Sequence, residues 1–174
     1  MLFEILQVIY FMLPAYAATI APVFANKISF LNFPVDFGYK LGKCRLFGKN
    51  KTYRGFFFGT IAALMVALAQ ANLYQISAIR KISLVDYNNP ALTGFILGFG
   101  ALFGDLVKSF FKRRQGIREG VDWIPYDQAD FVIGTFVLGA SIMNIAMYYW
   151  LINIIISPLL HFIVVRISIL HKIR

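Results

Sequence analysis

The sequence predicts an all-α membrane protein, a single integral membrane domain over residues 1–174 built as a helical bundle of about five transmembrane helices. Three observations predict this fold class. Apolar residues make up 59% of the chain and charged residues only 14%, which leaves too little polar surface to cover a soluble domain. The chain also contains four long uncharged runs. Finally, positive charge is concentrated in two of the segments between these runs.

The uncharged runs set the order of the predicted helices. Crossing a bilayer as a helix takes about 20 apolar residues. Three of the runs each fit one helix, and these are Ile5–Asn26, Gly55–Ile79 and Tyr87–Gly104. The fourth run, Phe131–Val165, is too long for one helix. We expect it to supply two helices, with a break near Asn153, Ser157 and Pro158, where polar residues and a proline interrupt the apolar pattern.

Positive charge predicts the orientation of these helices, because short loops rich in Lys and Arg stay on the cytoplasmic side. Loop one, about residues 26–54, carries seven basic residues and one acid, Asp36. Loop two, about residues 108–128, carries five basic residues. Both loops are therefore expected to face the cytoplasm. The N-terminus and the connections near residues 80–89 and 153–158 then lie outside, and the C-terminus is cytoplasmic.

Loop one places glycines between basic residues, in Gly42-Lys43-Cys44-Arg45 and in Gly48-Lys49-Asn50-Lys51-Thr52-Tyr53-Arg54-Gly55. Such turns present backbone N–H groups and basic side chains that can surround phosphate oxygens. The spacing is not that of a P-loop. A second interpretation is a basic collar that anchors the loop on anionic lipid headgroups. Cys44 is the only cysteine, so it cannot form an internal disulfide.

The third predicted helix combines a glycine pattern with charge at its inner end. Its glycines form two pairs spaced four residues apart, which let neighbouring helices approach closely: Gly94 with Gly98, and Gly100 with Gly104. If the helix continues inwards, one face carries Asp105, Lys108, Ser109 and Lys112. An Asp–Lys pair at this spacing can be a simple interfacial ion pair. A carboxylate near membrane depth is costly, however, and Asp105 is therefore a candidate functional residue.

Three acids lie within nine residues at the start of the fourth predicted helix, in Asp122-Trp123-Ile124-Pro125-Tyr126-Asp127-Gln128-Ala129-Asp130. Pro125 suits a helix start, and Asp127 and Asp130 then lie on adjacent turns of one face. The helix macrodipole favours acids at this end, which accounts for one of them. Two carboxylates on one face repel each other unless a positive charge lies between them. Magnesium could supply that charge, and so could a Lys or Arg side chain.

These features favour phosphoryl or nucleotidyl transfer, which depends mainly on positioning and charge neutralisation. Zinc binding is not expected, because His161 and His171 are ten residues apart with no thiolate nearby. Nucleic-acid binding is not expected either, since the net charge of +9 is divided among the loops of a membrane protein. The non-enzymatic alternative is a small transporter or channel whose basic loops only fix its topology.

Five stretches carry a resemblance to a known family, and they are Leu13-Pro14-Ala15-Tyr16 with Ala21-Pro22, Pro34 to Gly38, Gly48 to Gly55, Gly104 to Arg114, and Pro125 to Phe131. In this order they resemble the archaeal CDP-archaeol synthases over nearly the whole chain. The resemblance implies a magnesium-dependent cytidylyltransferase in the cell membrane, with its active site facing the cytoplasm. Such an enzyme transfers CMP from CTP to an archaeal ether-lipid phosphate, 2,3-bis-O-(geranylgeranyl)-sn-glycerol 1-phosphate, and releases pyrophosphate.

The resemblance also implies roles for individual residues. Related CDP-diacylglycerol synthases share a signature that runs from a Ser and Lys-Arg region to two acids separated by two residues. This signature matches Ser109, Lys112 and Arg113, followed by Asp127 and Asp130. The implied magnesium ligands are Asp105, Asp127 and Asp130. The residues implied to bind the phosphates of CTP are Lys49, Thr52, Arg54, Lys108, Ser109, Lys112 and Arg113. The roles of Asp36 and Asp122 are left open, with a structural role favoured over a catalytic one, and assembly into a homo-oligomer is left open as well.

Overall fold

The computed structural model describes residues 1–174 except Lys43, Asp122, Pro125 and residues 171–174, and it describes side chains as far as residue 160. The elements are α1 (Leu2–Ala25), β1 (Lys40–Leu41), β2 (Cys44–Arg45), α2 (Tyr53–Leu73), α3 (Ser77–Ile82), α4 (Pro90–Arg114), α5 (Tyr126–Gly139) and α6 (Met147–Leu170). The only sheet in the described part is the antiparallel hairpin of β1 and β2. The predicted all-α helical class is confirmed. The expectations for Asp122 and for a helix start at Pro125 lie outside the described residues.

Two of the long helices begin at residues that satisfy their free N–H groups. The hydroxyl oxygen of Thr52 accepts a hydrogen bond from the N–H of Gly55 (3.2 Å) at the start of α2. At the start of α4, Asn89 Oδ1 accepts from the N–H of Leu92 (3.0 Å), and Pro90 occupies the first turn, where its missing N–H costs nothing. These caps explain why α2 and α4 begin where they do.

Three helices in the described part, α1, α2 and α4, are long and apolar enough to cross a membrane. By contrast, α5 has 14 residues. At 1.5 Å per residue it extends about 21 Å, less than the roughly 30 Å of a bilayer core. The 24 residues of α6 are long enough for a crossing. The predicted number of five membrane-crossing helices therefore stays a prediction.

The predicted break in the last uncharged run is wrong in position. The chain leaves helix at Gly139 and re-enters it at Met147, so Asn153, Ser157 and Pro158 all lie inside α6. Both polar side chains make hydrogen bonds within the bundle, although the buried Nδ2 group of Asn153 has no partner among the described residues. Ser157 donates to Asn153 Oδ1 (2.6 Å), and its Oγ lies 2.6 Å from the hydroxyl of Tyr16 on α1. These polar groups attach one helix to another and do not end α6.

The start of predicted loop two is also helical, because α4 continues to Arg114. The third predicted helix therefore does continue inwards, and its acid and basic residues follow one another on successive turns. Helix α4 contacts α1, α2 and α5. Its glycine pairs serve two of these neighbours. A Cβ on Gly94 would lie 2.9 Å from the Ala63 carbonyl oxygen of α2, and one on Gly100 would lie 3.0 Å from the Gly134 carbonyl oxygen of α5. The expectation of close helix packing is confirmed, on two faces of α4.

Candidate active site

A cavity of about 660 Å³ lies between the ends of α1, α2, α4 and α5, beside loop one. Seven of the predicted site residues line it: Lys49, Thr52, Arg54, Asp105, Lys108, Asp127 and Asp130. Apolar side chains line another part of it, including Val23, Phe56 and Leu102. The fold thus brings together residues that are far apart in the sequence. The cavity combines a charged region with an apolar one.

Lys108 lies where the three carboxylates of the cavity meet. Its Nζ atom is 3.0 Å from an oxygen of Asp105, 3.0 Å from one of Asp127 and 2.6 Å from one of Asp130. The Lys108 side chain is only 14% exposed. A charge this buried is stable only when it is paired, so these contacts hold α5 against α4 as well as forming a site. The ammonium of Lys108 thus lies among the three acids, and magnesium binding by these acids stays a prediction.

Two further lysines complete the charge balance of this cluster. Lys51 pairs with Asp105. Lys112 donates to both carboxylate oxygens of Asp127, at 3.1 and 2.9 Å. Together with Lys108, these three lysines balance the three acids. We call these six residues the Asp–Lys cluster. An anion that displaces a carboxylate from a lysine leaves that carboxylate unpaired, so an anion and a cation must enter such a cluster together to keep its buried charges paired.

Glycines determine how closely α5 approaches α4 beside the cluster. A Cβ on Gly104 would overlap the backbone oxygen of Asp130, and a Cβ on Gly134 would overlap the backbone oxygen of Gly100. Any larger residue would therefore push the two helices apart. This close contact lets the carboxylate of Asp130, on α5, reach Lys108, on α4.

The remaining three predicted residues line a second, smaller cavity of about 110 Å³: Ser109, Lys112 and Arg113. Lys51 and Lys108 line both cavities, so the two spaces adjoin at these lysines. The Ser109 hydroxyl donates to the backbone oxygen of Asp105 (2.8 Å). The Arg113 guanidinium donates to the backbone oxygen of Arg118 (3.2 Å). Basic side chains outnumber acids in the lining of the smaller cavity, which includes Lys51, Lys108, Lys112 and Arg113 beside Glu119.

Arg54 and Thr52 line the main cavity but also hold the fold. The guanidinium of Arg54 donates to the backbone oxygens of Asn26 (3.2 Å) and Ile28 (2.5 Å), and to Asn26 Oδ1 (2.9 Å). It thereby ties the chain after α1 to the first turn of α2. Thr52 caps α2 with its hydroxyl oxygen. Phosphate binding by these two residues stays a prediction.

Sequence reasoning missed several residues that shape the site. Lys51 lies in the stretch from Gly48 to Gly55 but was not predicted to be a site residue, although its alternation with Lys49 could have indicated it. No local pattern indicated the contacts between distant parts of the chain. Arg114, at the end of α4, donates to the backbone oxygens of Leu41 (2.7 Å) and Arg45 (2.6 Å) and so holds the β1–β2 hairpin. Glu119 of loop two accepts from the N–H of Lys49 (3.1 Å). The two basic loops are thus joined to each other beside the cavity.

Asp36 organises loop one and has the structural role that the sequence suggested. Its buried carboxylate accepts hydrogen bonds from Arg45 (2.6 Å) and from the N–H groups of Gly38 (3.0 Å), Phe47 (3.2 Å) and Gly48 (3.2 Å). Burial alone would raise the pKa of this carboxyl, but these hydrogen bonds lower it from its ordinary 3.8 to about 2.

Loop one should therefore loosen in acid. A carboxyl whose pKa falls on folding stabilises the fold above its ordinary pKa, and this contribution is lost as the pH falls from about 4 towards 2. We expect pepsin to cut loop one increasingly fast over this range in detergent-solubilised protein. Asp36→Asn should make loop one sensitive to trypsin already at neutral pH, with a cost of about 1–3 kcal/mol. Equal digestion of the variant and the wild type would contradict this role for Asp36.

The donor set of the Asp–Lys cluster suits a hard cation. Three carboxylates converge on the single positive atom of Lys108, and carboxylate oxygens are the ligands that Mg²⁺ prefers. Among the described residues, no group of three or more acid, His or Cys side chains is already arranged as a metal site. Binding a metal here would therefore require Lys108 to give up its present position.

Comparisons with known proteins identify a family and relatives to which this chain is similar. A family model described as "CarS-like: CDP-archaeol synthase" matches residues 1–174. A CDP-archaeol synthase of Methanoculleus marisnigri is 35% identical over 167 residues, which cover 93% of this chain and 91% of the relative. One from Methanospirillum hungatei is 40% identical over 143 residues, 80% of each chain. One from Pyrobaculum islandicum is 34% identical over 161 residues, 90% of each chain.

A solved structure shares the fold. It is that of an intramembrane enzyme for archaeal membrane lipid biosynthesis, and it superposes with a TM-score of 0.68. The two sequences are 30% identical, and the match covers 92% of this chain and 93% of the other. The similarity therefore extends over nearly the whole bundle.

Proposed function

The chain belongs to the CDP-archaeol synthase family, and from that premise we propose that it transfers CMP from CTP to the phosphate of an unsaturated archaeal ether lipid. Family membership makes it a membrane enzyme of the cytidylyltransferase kind. The proposal concerns the finer points: the ether-lipid phosphate 2,3-bis-O-(geranylgeranyl)-sn-glycerol 1-phosphate as acceptor, pyrophosphate as second product, magnesium as cofactor, and an active site on the cytoplasmic side.

One observation carries the proposal, namely the position of the Asp–Lys cluster in a cavity that is also apolar. The acceptor is a phosphate attached to long hydrocarbon chains, and the donor is a highly charged triphosphate. The apolar lining from α1, α2 and α4, which includes Val23, Phe56 and Leu102, suits the hydrocarbon chains of the acceptor. The basic smaller cavity suits the phosphates of the donor. Lys51 and Lys108, which line both spaces, lie where the two reactants would meet.

The proposed reaction is a single in-line displacement. An oxygen of the lipid phosphate attacks the α-phosphorus of CTP, and the bond from that phosphorus to the oxygen bridging to the β-phosphate breaks. The bridging oxygen leaves as part of pyrophosphate. Lys108 and Lys51 would exchange carboxylate partners for phosphate oxygens and so neutralise charge as the bond breaks. Lys112 and Arg113 line the space into which pyrophosphate would pass.

Magnesium is the proposed cofactor, with Asp105, Asp127 and Asp130 as the residues that would hold it. When bound, the ion would neutralise and orient the phosphates of CTP. The convergence of these three carboxylates on one positive atom supports this choice. Lys112 donates to both oxygens of Asp127 and would orient that carboxylate.

The cytoplasmic orientation rests on charge. Both basic loops and the cavity lie at the same end of the bundle, where Lys49 of loop one meets Glu119 of loop two. Short loops this basic stay in the cytoplasm, which is also where CTP is made available to the enzyme. The other end of the bundle carries α3 and the connection from α5 to α6.

The proposal is tested with protein purified in detergent. Given CTP, the ether-lipid phosphate and Mg²⁺, it should form a CDP-lipid and pyrophosphate in equal amounts, and EDTA should stop the reaction. Restoring excess Mg²⁺ should restore it. No CDP-lipid with any lipid phosphate would contradict the proposed substrates, and full activity in EDTA would contradict the proposed metal.

Ligand binding can be measured independently of turnover. We expect CTP with Mg²⁺ to raise the melting temperature of the purified protein, because a ligand that binds only the folded state stabilises it by mass action, about 2.7 kcal/mol at 100 times its Kd. CTP without a divalent ion should raise it less. A transporter or channel whose basic loops only fix topology would show no shift with either.

A further inference from the structure

Loop one exposes a row of large apolar side chains that the transfer chemistry does not use. They lie between residues 27 and 41 and are Ile28, Phe30, Phe33, Phe37, Tyr39 and Leu41. We call them the loop-one apolar surface. Phe37 is 65% exposed and Tyr39 is 70% exposed. Aromatic side chains gathered at this exposure in a loop outside the helices mark a surface that contacts something other than water.

The first part of this surface lies beside the start of a membrane-crossing helix. The ring of Phe30 packs against that of Phe57 in α2, with centroids 5.7 Å apart. The N–H of Arg54 donates to the backbone oxygen of Leu31 (2.9 Å), and the N–H of Tyr53 donates to that of Phe33 (3.1 Å). Because α2 is apolar and long enough to cross a membrane, residues 28–33 lie at the level where that helix meets the membrane boundary.

Two residues of this segment have a backbone conformation that is unfavourable for their side chains. Leu31 and Phe37 have positive φ angles, 54° and 45°. Bulky residues rarely adopt this conformation, because it is energetically costly for them. Glycine or asparagine would avoid the cost. The ring of Phe37 is nevertheless held against Phe33 and Tyr53, with centroids 6.1 and 5.4 Å away. Contact between this ring and lipid would offset the strain; exposure to water would not.

Exposed lysines flank the apolar surface at both ends. Lys27 precedes it and Lys40 lies within its last residues, and both are exposed. A lysine near an anionic bilayer surface is attracted to the headgroups, while its hydrocarbon stem can lie along the apolar boundary. Aromatic residues together with lysine are typical of the layer where lipid headgroups meet water. The partner chemistry is therefore a lipid surface that carries negative charge.

We propose that residues 27–41 lie in the headgroup layer of an anionic membrane leaflet, with the loop-one apolar surface facing the acyl boundary and with Lys27 and Lys40 against anionic headgroups. Asn32 lies between Leu31 and Phe33, whose backbone oxygens bind the start of α2, and it lines the main cavity. The segment is therefore part of the cavity rim. A consequence, which rests on the proposed function, is that the rim lies at the height of lipid phosphates, so that the acceptor reaches the Asp–Lys cluster without leaving the bilayer.

The proposal is tested by spin labelling in vesicles that contain anionic lipid. Cys44→Ser removes the only native cysteine, after which Phe37→Cys and Tyr39→Cys each receive a nitroxide. Leu68→Cys on the exposed side of α2 serves as a lipid-facing reference, and Gln115→Cys in loop two as a water-facing one. We expect labels at 37 and 39 to lie between the two references, less accessible to a water-soluble nickel chelate than the label at 115 and more accessible to it than the label at 68. The label at 115 should collide readily with the chelate, and the label at 68 with oxygen.

Several outcomes would overturn the proposal. Chelate access at both 37 and 39 equal to that at 115 would place the segment in water. Dipolar broadening between labels at 37 would show that a second copy of the chain covers the surface. Equal chelate protection at 39 in neutral and in anionic vesicles would contradict the anionic partner. These measurements need neither CTP nor the acceptor lipid, so their result stands apart from the test of the transfer reaction.

Discussion

Asp130→Asn is expected to lower CDP-lipid formation by about 10²- to 10³-fold, the usual cost of removing one preorganised electrostatic group from an active site. Asp130 is buried, and its carboxylate lies 2.6 Å from Lys108 at the centre of the Asp–Lys cluster. Asparagine has nearly the same shape but no charge. Initial rates at saturating CTP and Mg²⁺, measured beside wild type, give the effect.

The matched control is Asp86→Asn, the same change at the other end of the bundle. Asp86 is exposed and accepts a hydrogen bond only from Tyr74 (3.0 Å) among the contacts described for its side chain. It should keep the wild-type rate. Thermal unfolding of all three proteins separates loss of chemistry from loss of fold. A wild-type rate in Asp130→Asn would return that acid to a helix-capping role.

Gly134→Ala is expected to disrupt the packing of α5 against α4 with a single added methyl group. Its Cβ would overlap the backbone oxygen of Gly100 and lie 2.7 Å from the Cα of Gly104. Backbone atoms cannot move aside as a flexible side chain can, so α5 must shift away from α4. Overpacking of this kind costs about 1–3 kcal/mol or more. The shift would also move Asp130, and a displacement of about 1 Å at a site can cost roughly 10²-fold in rate.

Gly55→Ala provides the comparison for stability. That glycine lies in the first turn of α2, and a Cβ there would meet its nearest neighbour, Pro22, at an ordinary 3.5 Å. Alanine is the better helix former by about 1 kcal/mol, so this variant should melt at or above the wild-type temperature. If Gly134→Ala melted as the wild type does and turned over normally, close packing of α4 and α5 would not be what positions Asp130.

Sequence alone predicted which site residues share a helix face better than how the helices assemble around the site. Local spacing was sufficient for Asp105 and Lys108, one turn apart on α4, and for Asp127 and Asp130 on α5, because helical periodicity fixes which residues share a face. It could not show that Lys108 separates the acids. That fact depends on the glycine contact between two helices, which brings side chains from different parts of the chain together.

The misplaced break in the last run has a similar cause. Asn153, Ser157 and Pro158 interrupt an apolar pattern, and in isolation such residues favour the end of a helix. Ser157, however, finds its partner on α1, at Tyr16, 141 residues away in the sequence. The joining of the two basic loops through Arg114 and Glu119 also depends on contacts between residues far apart in the sequence, separated by 73 and 70 residues. Local patterns predict elements, whereas partners of this kind are set by the assembled bundle.

The most direct measurement follows the phosphates of CTP. Purified protein is given the ether-lipid phosphate, Mg²⁺ and CTP labelled at either the α- or the γ-phosphate, and the lipid and aqueous fractions are counted for wild type and Asp130→Asn. We expect the α-label in the lipid and the γ-label in pyrophosphate, with lipid labelling lost in the variant. The γ-label in the lipid, or no label in it at all, would contradict cytidylyl transfer at the Asp–Lys cluster.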